Sequence, residues 1–551
     1  MNEIILAFLG ILFHASVIFC TAFYFVRSMH MFQLNSYKAK AQFKWFRQNK
    51  KWLILNMLAP LIIFLLFVFA NQVFLRHDNP AGEIILSCVV IYIPLAGVFI
   101  FGRNKSKAKK PLVNTPRVIR MYVSGAVVLL AIVSAVIFIL IYFDLIFDLT
   151  FILYFVISFC IPLGLFLPII ANIINAPIEK LNNLRYINDA KRIINSHKDL
   201  ITVGITGSYG KTSTKFFLHK LLSVKYNTLM TPESYNTTLG VVKTIRNELK
   251  ATHEIFICEM GLKWVGDIKE ICEIVKPKHS MLTSIGPQHL ETMKTIENII
   301  NEKFEIADCI DSVKGGMVFL NYDNDYIRNR KTDKNIVRYG ISKNAEDYRA
   351  SDLSVSEKGT AFTVIAPSGE QTRFTTRLLG FHNVQNITGA IAVANTLGIE
   401  MKDLIRPVKS LEPVPHRLQI INKGRDIIID DAFNSNPVGA NAALDVLKMF
   451  NGGESASGVR FLVTPGMVEL GEKEYELNKE LGAHAADCCD FAVLIGEKQA
   501  VPIKAGLIEN HFPEEKIKIF KTLNQGLEFI YNFDSNKQKI ILLENDLPDN
   551  Y

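Results

Sequence analysis

The chain has 551 residues, 49% of them hydrophobic, with 61 Lys/Arg against 53 Asp/Glu and a formal net charge of +8. That length is too great for a single hydrophobic core. Residues 1–175 hold 15 basic against 5 acidic residues and the remainder 46 against 48, so the basic excess belongs to a membrane-type topology and gives no ground for nucleic-acid binding.

Five apolar stretches precede residue 176, at about 4–26, 53–75, 84–102, 122–143 and 151–175. Each is long enough to cross a bilayer as a helix rising ~1.5 Å per residue. The first is too long for a cleaved signal peptide, lacks a basic start and is followed by four more, so it reads as a retained helix. Loops 27–52 and 103–121 each carry seven Lys/Arg and no acid, whereas 76–83 has one Arg and 144–150 has no basic residue. The positive-inside rule then predicts a five-span domain over 1–175 in the inner (cytoplasmic) membrane, N-terminus outside, with everything beyond residue 175 in the cytoplasm.

Residues 176–199 read as a helical connector. From 200 to about 410, strand-like runs (201–206, 255–259, 280–285) alternate with helical patterns (211–223, 238–249, 267–275, 295–309), which predicts a parallel α/β sheet covered on both faces. Short alternating segments at 345–378 suggest a small β insertion. A second alternating series runs from 411 to 551, with strands near 427–431, 459–464, 491–495, 517–520 and 538–544, and reads as a Rossmann-like domain. The eight cysteines (20, 88, 160, 258, 272, 309, 488, 489) show no CxxC spacing; free structural thiols and no zinc site are expected.

The segment Gly204–Thr214, GITGSYGKTST, follows an apolar run and opens a helical pattern. A glycine-rich bend between strand and helix aims backbone N–H groups at one point, where a phosphate chain can sit. Gly207, Ser208, Tyr209, Gly210, Lys211, Thr212 and Ser213 form this loop. Lys211 supplies a charge for the terminal phosphates and Thr212 a hydroxyl for magnesium. The loop is a shortened P-loop, with Ile205 where the general pattern has glycine. A glycine turn carrying Lys-Thr by chance is the competing reading; the strand-then-helix setting favours a nucleotide. Glu259 ends the buried-looking run Ile255–Cys258, where a further magnesium ligand belongs, a helix-capping role being the alternative. His289 on a loop and Lys303 on a helix would, each alone, read as ordinary surface residues.

Taken together and in order, these segments resemble the Mur ligase family, most closely its UDP-N-acetylmuramoyl-tripeptide:D-alanyl-D-alanine ligase type. The resemblance covers about 200–495. The TGxxGKT/S loop is Thr206–Thr212, and NNxxG lies around Asn236–Gly240 with Thr237 for the second Asn. AHLE is matched by Gln288–Glu291, AKxEI by Glu302–Ile306 and HNxxN by His382–Asn386. GRxQ becomes His416–Gln419, DDxYNANP is Asp430–Pro437 with Phe433 for Tyr, and MxELG is Met467–Gly471. The resemblance implies ATP and two Mg²⁺ ions as cofactors. Lys211 and Thr212 would hold the triphosphate and the first ion, with Glu259 as another ligand of that ion. His289 and a carbamylated Lys303 would hold the second ion. Asn386 with Asn236 would face the adenine, Arg417 the γ-phosphate and Asp431 the ribose.

Two departures limit the transfer. Five membrane spans stand where such ligases begin with a soluble domain for the UDP-sugar, so the expected acceptor is a lipid-linked or membrane-embedded cell-envelope precursor, mere anchoring being the alternative. The end Leu542–Tyr551 is acidic where a KGSR-like loop is usual, which suggests an amine substrate with a cationic group. The expectation is therefore a membrane-anchored ATP-dependent ligase joining an envelope precursor to an amino acid or dipeptide. A polymerising ligase similar to poly-γ-glutamate synthase and a non-catalytic nucleotide-binding scaffold are the alternatives.

Overall fold

The computed structural model describes residues 2–50, 53–54, 111–142, 149–288, 290–356, 359–432, 436–450, 458–468, 470–533 and 537–545. The chain divides into two compact units, Met1–Asn183 and Leu184–Pro548.

The described part of the first unit is helical: Asn2–Leu34, Ala39–Gln48, Pro116–Tyr142 and most of Leu149–Ser196. The expected spans at 53–75 and 84–102 lie outside the described residues, apart from 53–54. Phe25, Met29, Phe32, Phe46, Met121 and Leu165 form its core. Buried polar groups are tied within it: Ser28 Oγ donates to the Leu165 carbonyl at 2.6 Å and Asn35 Nδ2 to Gln42 Oε1 at 3.0 Å. Val123, Val127, Leu130 and Phe138 point outward, each 58–67% exposed, leaving one apolar helix face uncovered. Among the described residues, Pro116–Ala135 and Pro162–Ser196 are long and apolar enough to cross a bilayer.

The expected helical connector at 176–199 is helical as far as Ser196, continuing the helix before it. Helix Leu149–Ser196 runs through it without a break, even past Pro162, Pro168 and Pro177. From Leu184 onward the helix belongs to the second unit, where Ala190 and Ile194 join the core and Asp189 pairs with Arg246 at 2.8 Å.

In the second unit a nine-stranded sheet has the order β2-β3-β1-β4-β5-β6-β7-β8-β9. The strands are β1 Ile201–Thr206, β2 Thr228–Met230, β3 Ile255–Glu259, β4 His279–Leu282, β5 Met317–Asn321, β6 Ile336–Gly340, β7 Tyr348–Ser356, β8 Gly359–Ile365 and β9 Gln371–Thr376. Pairing is parallel from β2 through β7 and antiparallel for β7–β8 and β8–β9. The β insertion is thus an extension of the sheet edge. Alternation along β3 sends Ile255 and Ile257 to the core beneath helices Lys211–Leu222 and Phe381–Thr396. Phe256 and Cys258 go to the opposite core, under Thr238–Glu248, Asp267–Val275 and Ile296–Asp308.

A second sheet has the order β10-β11-β15-β12-β13-β14. Its strands are β10 Gln419–Lys423, β11 Asp426–Asp431, β12 Val459–Thr464, β13 Phe491–Ile495, β14 Ile517–Phe520 and β15 Lys539–Glu544. It is parallel except for β10, which returns antiparallel on β11 and was not foreseen. The C-terminal acidic loop needs correction at its start: Leu542–Glu544 belong to β15, and the buried Glu544 accepts from Thr464 Oγ1 at 3.1 Å. Residues 546–551 lie outside the described residues.

Candidate active site

The shortened P-loop leaves the carboxyl end of β1, where the connection from β1 runs to β2 on one side and that from the adjacent β4 runs to β5 on the other, the usual ligand position in an open α/β sheet. Two glycines are required there. At Gly207 (φ 156°) a Cβ would stand 2.1 Å from Thr283 Oγ1, and at Gly210 (φ 81°) 2.8 Å from Asn386 Oδ1. The loop is pinned to the segment after β4: Ser208 N–H donates to the Ser284 carbonyl at 2.6 Å, Ser208 Oγ to the Gly286 carbonyl at 3.1 Å, and Ser284 Oγ to the Tyr209 carbonyl at 3.1 Å. Lys211 Nζ folds back on the loop, donating to the Gly207 and Ser208 carbonyls at 2.6 and 3.2 Å. Burial brings the Lys211 ammonium down to about 8 against the pull of Glu259, and Arg417 pushes the same way as burial.

Glu259, at the end of β3, is fully buried and heavily partnered. Its Oε1 accepts from Thr212 Oγ1 at 3.1 Å and from Asn236 Nδ2 at 3.0 Å. Its Oε2 is 3.1 Å from Lys215 Nζ, an ion pair that lacks hydrogen-bond alignment. Burial alone would raise this carboxyl; Lys215 first and then Lys211 hold it below the ordinary range, so it is ionised at neutral pH. Sequence reasoning missed Lys215. It falls one turn after Thr212, and its only signal was a lysine on a helix face otherwise filled by buried residues.

The two asparagines expected to face the adenine have different surroundings here. Asn236 has its carboxamide on Glu259, while Asn386 borders a cavity that Asn236 does not line.

That cavity is shared by the two sheets' domains. Tyr209, Gly210, Ser213 and Asn386 come from the first, Arg417, Asp431 and Asn436 from the second. Arg417 is presented by a strained turn, because His416 (φ 61°) and Leu418 (φ 46°) on either side are both left-handed. The turn is fastened to the end of β11: His416 Nδ1 meets Asp430 Oδ2 at 2.8 Å and Leu418 N–H donates to Asp431 Oδ1 at 3.0 Å. Burial lifts the Asp431 carboxyl to about 6 despite that N–H and Arg417. Two polar atoms of the cavity wall, Tyr209 Oη and His382 Nδ1, are buried without a hydrogen-bond partner among the described residues. Such orphaned groups fit a polar ligand such as a nucleotide.

Lys303 lies on helix Ile296–Asp308 and is 1% exposed. Among the described residues its ammonium has no hydrogen bond or ion pair, and burial, followed by the charge of Lys211, holds it well below the usual lysine range. Glu302 beside it accepts from the Gly266 N–H at 2.9 Å. His289 and Phe433 lie outside the described residues.

Sequence profiles agree with this architecture. The Mur ligase middle domain matches residues 205–394, and the "Mur ligase, glutamate ligase domain" matches 416–544. The chain is a Mur ligase. As such it is an ATP-dependent carboxylate–amine ligase, of a family that uses ATP and Mg²⁺. It is similar to the UDP-N-acetylmuramoyl-tripeptide–D-alanyl-D-alanine ligase of Bacillus subtilis (strain 168), 29% identical over 344 residues, covering 62% of this chain and 72% of the relative. The enzyme of the same name from Buchnera aphidicola subsp. Baizongia pistaciae is 31% identical over 294 residues, 52% of this chain and 61% of its own. A crystal structure of MurF from Acinetobacter baumannii superposes with a TM-score of 0.59 at 27% identity, covering 66% of this Mur ligase and 77% of that chain.

Proposed function

We propose that this Mur ligase is anchored in the inner membrane and, at the cytoplasmic face, activates a carboxylate of a cell-envelope precursor with ATP and joins it to an amino acid or dipeptide. The observation that carries the reading is Arg417. It comes from the second domain, lines the cavity bordered by the P-loop, and interacts electrostatically with Lys211 and Glu259. Both domains therefore border one cavity. The names of the relatives make D-alanyl-D-alanine the first amine to test and a muramoyl tripeptide the first acceptor.

An acceptor carboxylate is already ionised and needs no general base to attack the γ-phosphorus. Lys211 and Arg417 would neutralise the charge gathered on the transferred phosphoryl group. The products of that step are an acyl phosphate and ADP; the amine then displaces phosphate and leaves an amide. Thr212 Oγ1 and the Glu259 carboxylate are adjacent hard oxygen donors that suit Mg²⁺, which when bound adds Lewis-acid stabilisation of the phosphates. Burial disfavours the Lys303 ammonium and so favours the amine form that would react with CO₂; its carbamate would offer oxygens to a second ion together with His289. Asp431 would meet the ribose.

The uncovered apolar face of Pro116–Tyr142 and the basic loops support a multi-pass anchor with the N-terminus outside. A membrane-held enzyme suits a lipid-linked acceptor. The test is ADP release by the detergent-purified full chain, offering soluble UDP-linked and lipid-linked muramoyl peptides with D-alanyl-D-alanine and a panel of amino acids and dipeptides. Acceptor- and amine-dependent ADP release, faster with the lipid-linked acceptor, is the expected result. ADP release indifferent to both would overturn the reading.

A further inference from the structure

We propose that Asp445, His484 and Cys488 form a divalent-metal site on the C-terminal domain, suited to a borderline-soft ion such as Zn²⁺. Their ligand atoms (a carboxylate oxygen, an imidazole nitrogen and a thiol sulfur) lie within 4.8 Å of one another. Asp445 stands on helix Pro437–Met449 and His484 in the last turn of helix Glu474–Ala485. Cys488 follows in a turn closed by its own N–H on the Ala485 carbonyl at 3.0 Å, which keeps the four-residue offset from His484 close to helical. His484 Nε2 and Asp445 Oδ1 are already 2.8 Å apart, converging from two helices.

Exposure is graded across the cluster. Asp445 and His484 form a half-open rim, and Cys488 lies 1% exposed beneath it. Among the described residues the Cys488 thiol has no hydrogen-bond partner, whereas the neighbouring Cys489 Sγ donates to the Ala485 carbonyl at 3.3 Å. An Asp–His pair on a surface is common. The unsatisfied sulfur placed against that pair gives the set its metal-binding character. Mixed O, N and S donors suit Zn²⁺ and disfavour hard Mg²⁺, and a water would complete four-coordination. The thiol loses its proton to solvent on binding, so that Asp445 and the thiolate together balance the ion's two charges.

The site has a structural consequence. Val438, Gly439 and Ala440, in the first turn of the helix that carries Asp445, line the nucleotide cavity. An ion held by Asp445, His484 and Cys488 would tie that helix to Glu474–Ala485. The ligands come from positions 39 residues apart in two helices, a spacing that a search for paired cysteines passes over.

The full chain, purified in detergent, stripped with EDTA and kept in excess Mg²⁺, is titrated with Co²⁺ as a spectroscopic probe and then with Zn²⁺. One equivalent of Co²⁺ should give a thiolate-to-metal band that Zn²⁺ abolishes. The band should vanish in Cys488→Ser and His484→Ala and persist in Cys489→Ser. Asp445→Asn, at an exposed position, should weaken binding roughly tenfold or more without affecting the fold. No thiolate band in the wild type, or a band that survives Cys488→Ser, would overturn the proposal.

Discussion

Lys215→Met tests the central electrostatic claim about the site. The Lys215 and Glu259 side chains are 0% and 1% exposed and 3.1 Å apart, so solvent screens the pair little. With an effective dielectric constant of about 20, the attraction at that distance is ~5 kcal/mol. Removing one member of such a pair costs ~3–5 kcal/mol, because the remaining charge stays buried and unmatched. Methionine keeps much of the volume, so packing contributes little. The folded-state Glu259 carboxyl is depressed below its unfolded value. Its contribution is therefore present above the ordinary carboxylate range and lost as pH falls through the folded value. Lys215→Met should accordingly be close to the wild type in acid and fall behind as pH rises toward neutrality. Adding Glu259→Gln to Lys215→Met should recover much of the loss. The readout is pulse proteolysis in urea across pH 3–8, applied to the full chain and following cleavage within Leu184–Pro548. A Lys215→Met loss under ~0.5 kcal/mol at pH 7, or purely additive single and double variants, would refute the reasoning.

Lys211→Ala should abolish acceptor-dependent ADP release while circular dichroism stays unchanged; residual turnover above about 1% would count against its phosphate role. Gly210→Ala places a methyl 2.8 Å from Asn386 Oδ1 at a left-handed φ, so nucleotide affinity measured by calorimetry should drop at least about tenfold. Lys303→Ala should lose most activity and regain a substantial part in millimolar acetate or formate, and no rescue at any pH would argue against a carbamate. Arg417→Lys keeps the charge but loses the planar fork, so kcat should fall by roughly 10²-fold with little change in the affinity for ADP.

Legibility in the sequence followed the physics of burial. β1, β3, β12 and β13 are mostly buried, largely apolar runs closed by turns, and their limits could be read directly. β2 has three half-buried residues and β10 is largely exposed, so neither carries an apolar signature. The helix through 149–196 was divided on the page because composition changes near residue 175, whereas backbone geometry does not. In the site, Gly207, Gly210, Lys211, Thr212 and Glu259 were legible from their order along the chain. The partners that hold them were not. Lys215 looked like one more lysine on a helix, and the ties from His416 to Asp430 and from Leu418 to Asp431 join a turn before β10 to the end of β11, more than ten residues further along the chain. The hydrogen bond from Asn236 to Glu259 was not legible either, because a motif gives order along the chain and no direction in space.

The two left-handed residues beside Arg417 carry a consequence for how this enzyme tolerates change. Each such conformation costs roughly 1–2 kcal/mol in an L-residue. Neither His416 nor Leu418 is glycine, so the turn behaves as a loaded spring whose catch is the Asp430–Asp431 pair. Variants selected only for heat resistance will tend to relax it, and they will gain robustness while their guanidinium drifts from its place in the cavity wall.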